Sequence, residues 1–258
     1  MREELAVNAT QAVLKQSVRL FGRETDVVIV HVFLPLLIIG ILDPVFEPIL
    51  ALDGYPGAPG SAQTAPAMAI LFAFVTVGYV GVMFFREYEW NTYERMLASP
   101  ATGLDIFLGK ALPALLLLLA QQAVLFGVSW LMFDLVVPGS ATGLVITSLA
   151  LTLTAIAFGF MLVMVSPSIR HVDLFTNLGA MLFAGVGGAL VPLSQLPGWV
   201  GAIAPYFPSY WASKGFRAVL LDGEGIGATV TPTCVMFAFA VLFFLVGAVA
   251  TRVQERKL

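Results

Sequence analysis

Six apolar runs, at 27–52, 66–85, 111–137, 143–165, 174–191 and 228–251, leave this chain few ways to fold. A helix crossing a bilayer needs about 20 mostly apolar residues. Backbone groups in hydrocarbon must find partners within the segment, so runs of this kind cross as helices. Composition agrees. Hydrophobic residues make up 59% and charged residues 11%. A soluble domain has about 45–50% and about 25%. The expectation is an all-α polytopic membrane protein with six transmembrane helices.

Charge placement predicts the orientation. Of the 13 lysines and arginines, all but Lys214 and Arg217 fall on one side of that six-span layout. Basic residues collect on the cytoplasmic side. Both termini and the segment around residues 86–110 are therefore expected in the cytoplasm. Residues 3–23 read as an amphipathic helix, with Val7, Leu14, Val18 and Phe21 on one face and Glu4, Asn8, Gln11, Lys15 and Arg19 on the other. Such a helix lies in the membrane interface. Residues 1–26 are taken as a cytoplasmic N-terminal segment and 27–258 as the transmembrane domain. Residues 1–26 lack the pattern of a signal peptide, since charge persists to Asp26.

The longest polar stretch between two apolar runs is Arg86–Pro113. Glu87–Ser99 reads as a short exposed helix. Asn91 and Glu94 have capping-box spacing. Trp90, Tyr93 and Leu97 recur on one face, and Pro100 stops the helix. Glu87, Glu89, Thr92, Glu94, Arg95, Met96 and Ser99 complete the segment. Aromatic residues ringed by charge form either a docking surface or a helix resting on lipid headgroups. A second unusual stretch, residues 192–227, holds Pro192, Pro197, Pro205 and Pro208 with Trp199, Tyr206, Tyr210 and Trp211. It is too apolar for a free loop and too broken for a span. Short interfacial or re-entrant helices fit it best.

No catalytic motif survives inspection. Gly103 to Ala111 superficially resembles a phosphate loop, but five residues separate Gly103 from Gly109, and Ala111 stands where magnesium needs a hydroxyl. There is no G-x-S-x-G and no H-E-x-x-H. His31 and His171 lie on different elements, and the single cysteine, Cys234, excludes an intrachain disulfide or a cysteine zinc cluster. No catalytic or metal-binding residue is expected. A net charge of −3 gives no reason to expect a nucleic-acid partner.

Several of these features together resemble the ABC-2-type permeases, the membrane subunits of ABC exporters. The resemblance rests on Arg86-Glu87-Tyr88-Glu89, Thr92-Tyr93-Glu94, Met96-Leu97, Ser99-Pro100 and Gly109-Lys110. Leu196-Pro197-Gly198-Trp199, followed by Pro205 and Pro208, adds to it. The run from Thr92 to Leu97 is most similar to daunorubicin-type drug exporters and nodulation lipo-oligosaccharide exporters. Trp90-Asn91 departs from the family, where many members have a residue plus Gly before the Thr.

The resemblance implies a coupling helix at 87–100 between spans two and three, and re-entrant helices before span six. It implies two copies of an ABC ATP-binding subunit, which bind the ATP and magnesium that this chain lacks. It further implies a second permease subunit, identical or not, paired through helices one and five, and a place in the bacterial inner membrane. The expected cargo is an amphipathic drug, lipid or glycolipid.

Within this frame Phe72, Phe74, Tyr79 and Phe183 are candidates to line the cargo path, although ordinary helix packing competes for each. Ala180, Ala184 and Gly188 recur every four residues, a ridge suited to close helix contact. They are taken as a subunit interface. A proton-coupled transporter would want acids at mid-membrane, whereas Asp43, Glu47 and Asp134 map near span ends. A membrane-embedded enzyme would want a paired nucleophile and base, and none is evident.

Overall fold

The structure, a computed structural model, describes the backbone of residues 29–89 and 103–255 and the side chains of 30–78 and 111–250. A π-helical turn, Ile29–Phe33, leads into α1 (Leu34–Leu52). Then follow α2 (Ser61–Glu89), α3 (Gly103–Met132), α4 (Ala141–Val165) and α5 (Ile169–Val186). The broken stretch contains a 3-10 turn (Leu193–Gln195), α6 (Gly198–Ile203), a second 3-10 turn (Ala204–Tyr206) and α7 (Pro208–Leu220). The last helix is α8 (Ile226–Glu255). No strand occurs among the described residues.

Helix α2 is the axis of the bundle. Of Ser61–Gly78, 89% is buried inside the protein, against 17% of Val30–Leu52. Small residues explain the central place: Ala62, Ala65, Ala67, Ala69 and Ala73 let neighbours approach on every side. It packs against α1, α3, α4, α5 and α7, while α8 lies across α4 and α7. Helix α1 buries only a thin stripe, Pro35, Ile39, Phe46 and Leu50. Its other side chains, such as Leu34, Leu37, Ile41 and Val45, stay exposed.

Five described stretches are long and apolar enough to cross a membrane: Val30–Leu52, Ser61–Gly78, Ala111–Met132, Ala141–Val165 and Ile226–Ala250. Six were expected. The expected fifth span is present as α5, a helix of 18 residues, but its first turns carry Arg170, His171 and Asp173 and dilute its apolar character. Helix α1 runs through Pro44 and Pro48 to Leu52, where the first span was expected to end. Other boundaries move. Helix α2 starts at Ser61 rather than Pro66, because the Asp43 carboxylate on α1 accepts the Ser61 N–H and caps its first turn. Helix α3 starts at Gly103 rather than near Ala111, and ends at Met132, where Asp134 takes a positive φ of 50°.

The loop ends of the helices meet at one pole of the bundle, called here the distal pole. Ser61 Oγ donates to the Phe133 carbonyl at 2.8 Å. Gly139 N–H donates to the Val219 carbonyl at 3.0 Å, and Ser140 N–H to the Glu224 carbonyl at 3.1 Å. The C-terminal end of α2 and the N-terminal end of α3 lie toward the opposite pole. The amphipathic helix expected over residues 3–23 lies outside the described residues.

Candidate functional site

Two places bear on function, one at each pole. At the pole opposite the loops, α2 continues one turn past its last apolar residue, Phe85, and ends at Glu89. Helix α3 begins eight residues before Ala111. At 1.5 Å per residue these extensions reach about 6 Å and about 12 Å beyond the apolar runs. They bracket the polar segment between them. Glu87 and Glu89, expected to open a separate short helix, belong instead to the last turn of α2. Trp90, Thr92, Tyr93, Glu94, Arg95, Met96, Leu97, Ser99 and Pro100 lie outside the described residues.

Inside the bundle, the structure brings together two of the four path candidates. The Phe74 and Phe183 rings meet edge to face at 4.8 Å. Phe158 on α4 lies 5.6 Å from Phe74 and 5.0 Å from Phe183, and Phe243 on α8 lies 5.3 Å from Phe158. Phe207 adds a contact to Phe183 at 5.9 Å. Four helices and the broken stretch thus share one aromatic cluster. Such edge-to-face pairs contribute about 0.5–1.5 kcal/mol each beyond their buried area. Phe72 lies apart, its ring 6.5 Å from His31. Tyr79 is on α2, one turn beyond Val75. Phe74 is fully buried, so in this conformation the cluster is a packed core rather than an open path.

The small-residue ridge does not face outward. Ala180 and Ala184 are both 0% exposed within the single chain. With Val172 and Thr176 they form the stripe of α5 that packs against α2. A Cβ at Gly78 of α2 would come within 2.5 Å of Thr176 Cγ2. Gly188 lies beyond the end of α5, at φ +73°, with Leu193 against it. The expected subunit interface is therefore corrected: the ridge closes α5 onto α2 within one chain. The face of α5 left exposed carries Leu174, Phe175, Leu178, Met181 and Leu182.

The distal pole holds a polar cluster that sequence reading missed. The Asp53 carboxylate, at the end of α1, accepts from Ser194 Oγ at 2.7 and 2.8 Å and from Gln195 Nε2 at 3.3 Å. Arg217 Nη2 of α7 lies 3.6 Å from it, and the Asp53 side chain is only 6% exposed. The same guanidinium lies 4.9 Å above the Tyr55 ring, and the Tyr55 phenol donates to Asp222. That hydrogen bond, aided by partial burial, pushes the Tyr55 hydroxyl above the ordinary phenol range. Arg217 pairs with a residue 164 positions away, and no local spacing announces such a pair.

Beneath this cluster runs a second polar tier. Gln63 Nε2 donates to the carbonyls of Ala189 at 2.7 Å and Gly188 at 3.3 Å, and Ser213 Oγ reaches the latter at 3.3 Å. Thr64, Ser129, Thr147, Ser209 and Thr233 are buried nearby in the helix turns next to this pole. Their hydroxyls have no hydrogen-bond partner, nor has Gln122 Oε1 in the middle of α3. An unpartnered buried polar group costs about 1–3 kcal/mol. Thr176 at the opposite pole is a further case. Elsewhere the buried amides are better served: Gln121 Nε2 donates to the His31 carbonyl at 2.7 Å, and Gln122 Nε2 to Thr152 Oγ1 at 2.7 Å. Among the described residues no group of histidine, cysteine and carboxylate side chains could hold a metal ion.

Comparison with known proteins gives consistent relatives. The family model described as ABC-2 type transporter matches residues 8–221. The linearmycin resistance permease protein of Bacillus subtilis is 22% identical over 202 residues, covering 76% of this chain and 50% of that protein. Nodulation protein J of Sinorhizobium fredii is 29% identical over 238 residues, covering 83% of this chain and 87% of its own length. ABC transporter G family member 20 of Dictyostelium discoideum is 22% identical over 217 residues, covering 83% of this chain and 30% of its own length. The chain thus spans half or less of two of these relatives and most of the third.

Proposed function

This chain belongs to the ABC-2 type transporter family, and from that premise we propose that it is the permease subunit of an ATP-driven exporter. Energy enters from a separate ATP-binding subunit docked on residues 87–100, two such subunits serving a pair of permeases. The observation that carries the reading is the family match to a chain with no phosphate-binding loop of its own. The extensions of α2 to Glu89 and of α3 back to Gly103 support it, since both helices run past their apolar runs on the side where a soluble partner would dock. Each nucleotide state of the partner must favour a different arrangement of the bundle, or no work is transmitted. The aromatic cluster around Phe74 and Phe183 is where α2, α4, α5 and α8 would repack, and the cargo it suits is amphipathic. Two relatives, named for linearmycin resistance and for nodulation, fit the same reading. The test is to purify the chain from native membranes and identify what accompanies it. An ATP-binding subunit in stoichiometric amount is expected; its consistent absence would favour a permease that works without ATP.

In this reading the membrane is the bacterial inner membrane, with both termini and residues 86–110 inside and the distal pole outside. In a Cys234→Ala background, a membrane-impermeant thiol reagent added outside intact cells should label Pro56→Cys, an exposed loop position. It should leave Ala98→Cys unlabelled until the membrane is opened. Equal labelling of both in intact cells would reverse or abolish the orientation.

A further inference from the structure

The distal pole is closed by side chains rather than by backbone packing alone, and the closure has two tiers. On top, Asp53 gathers Ser194, Gln195 and Arg217, and Tyr55 holds Asp222. This ties the α1–α2 loop to the broken stretch and to the end of α7. Among the described residues α1 packs chiefly on α2, with a smaller contact to α3, and the polar cluster ties its end to the broken stretch and α7. Below, Gln63 and Ser213 share the Gly188 carbonyl. Beneath both tiers lie the hydroxyls of Thr64, Thr147 and Ser209, each at most 1% exposed and each without a partner.

A permanent brace would not need unpartnered hydroxyls packed under it. They are disfavoured in this conformation and would be satisfied once water reached them. The upper tier, by contrast, is built of groups that water can replace: Tyr55 and Asp222 meet at the exposed surface, and Arg217 is 31% exposed. Exposed pairs of this kind contribute little individually and exchange readily with solvent. Opening would exchange the contacts at this rim for water and give the hydroxyls below their missing partners, while the Asp53 side chain at the centre, 6% exposed, keeps the pole shut until it is released.

We propose that the Asp53 cluster is the latch of an exit gate, and that its release admits water to the hydroxyl-lined layer between α2, α4 and α7. The proposal takes its direction of transport from the exporter reading above, but its test needs neither the ATP-binding subunit nor a cargo. Ser209→Cys, in Cys234→Ala protein reconstituted in lipid nanodiscs, is treated with a water-soluble maleimide with and without Asp53→Ala. Ala150→Cys, fully buried midway along α4, reports general loosening.

The latched protein should label slowly at Ser209→Cys. Asp53→Ala should speed it at least tenfold while Ala150→Cys stays unreactive. Tyr55→Phe, which removes the hydroxyl that meets Asp222 and Arg217 but keeps the ring and Asp53, should give a smaller acceleration. Fast labelling before the latch is cut, no acceleration after it, or equal acceleration at Ala150→Cys would each overturn the gate. Failure to recover an ATP-binding subunit would leave this result standing, so the two readings fall separately.

Discussion

Ala180→Leu and Ala184→Leu are each expected to lower the melting temperature of the purified chain. The cost is on the order of 1–3 kcal/mol, the usual range for forcing extra methylenes into a packed core. Both positions have no exposed surface, and both lie on the stripe of α5 that meets α2. Nor can α2 yield, since it is itself buried along Ser61–Gly78 and already carries alanine and glycine where neighbours come nearest. Leu178→Ala, on the exposed face of α5, should leave the melting temperature nearly unchanged. Thermal unfolding in detergent, read beside cross-linked dimer content, separates the two roles of α5. Loss of dimer with an unchanged melting temperature for Ala180→Leu and Ala184→Leu would restore the ridge as a subunit interface.

That correction shows what a single sequence conveys. A repeat of small residues every four positions says that another helix comes close, and it did: Ala180 and Ala184 are in tight contact. It does not say whether that helix belongs to the same chain. The apolar runs were legible because hydropathy over some twenty residues is a property of the segment alone. The broken stretch was legible for a similar reason, its prolines and tryptophans marking short helices at Gly198–Ile203 and Pro208–Leu220. What escaped depends on partners distant in sequence. Helix α2 starts early because Asp43, 18 positions upstream, caps it. Asp53 and Arg217 find each other only after the bundle has formed. Asp53, Gln63 and Ser213 carry no sequence signal that would single them out.

The second large effect concerns coupling. By their spacing in the sequence, Trp90, Tyr93, Met96 and Leu97 are expected to share an apolar face of the polar segment, with Glu94 and Arg95 beside it. Aromatic anchors at the centre of a protein contact often cost about 2 kcal/mol or more when truncated, which is roughly a thirtyfold loss of affinity. Tyr93→Ala and Leu97→Ala should therefore release the ATP-binding subunit or uncouple its hydrolysis. Insertion and folding should persist, because the described core is centred on Ser61–Gly78 and the apolar runs that cross the membrane are unchanged. Glu94→Lys should act through charge mismatch, so its defect should depend on salt where the two truncations do not.

The most direct measurement of the central claim is the amount of ATP-binding subunit recovered with Tyr93→Ala, Leu97→Ala and Glu94→Lys from the same membranes as the parent chain. The melting temperature of each variant serves as the folding control. Recovery should fall severalfold or more for all three at unchanged melting temperature, and lowered salt should change the loss for Glu94→Lys alone. Full recovery of the ATP-binding subunit with all three variants would contradict docking at residues 87–100 and leave that segment as a helix resting on the membrane surface.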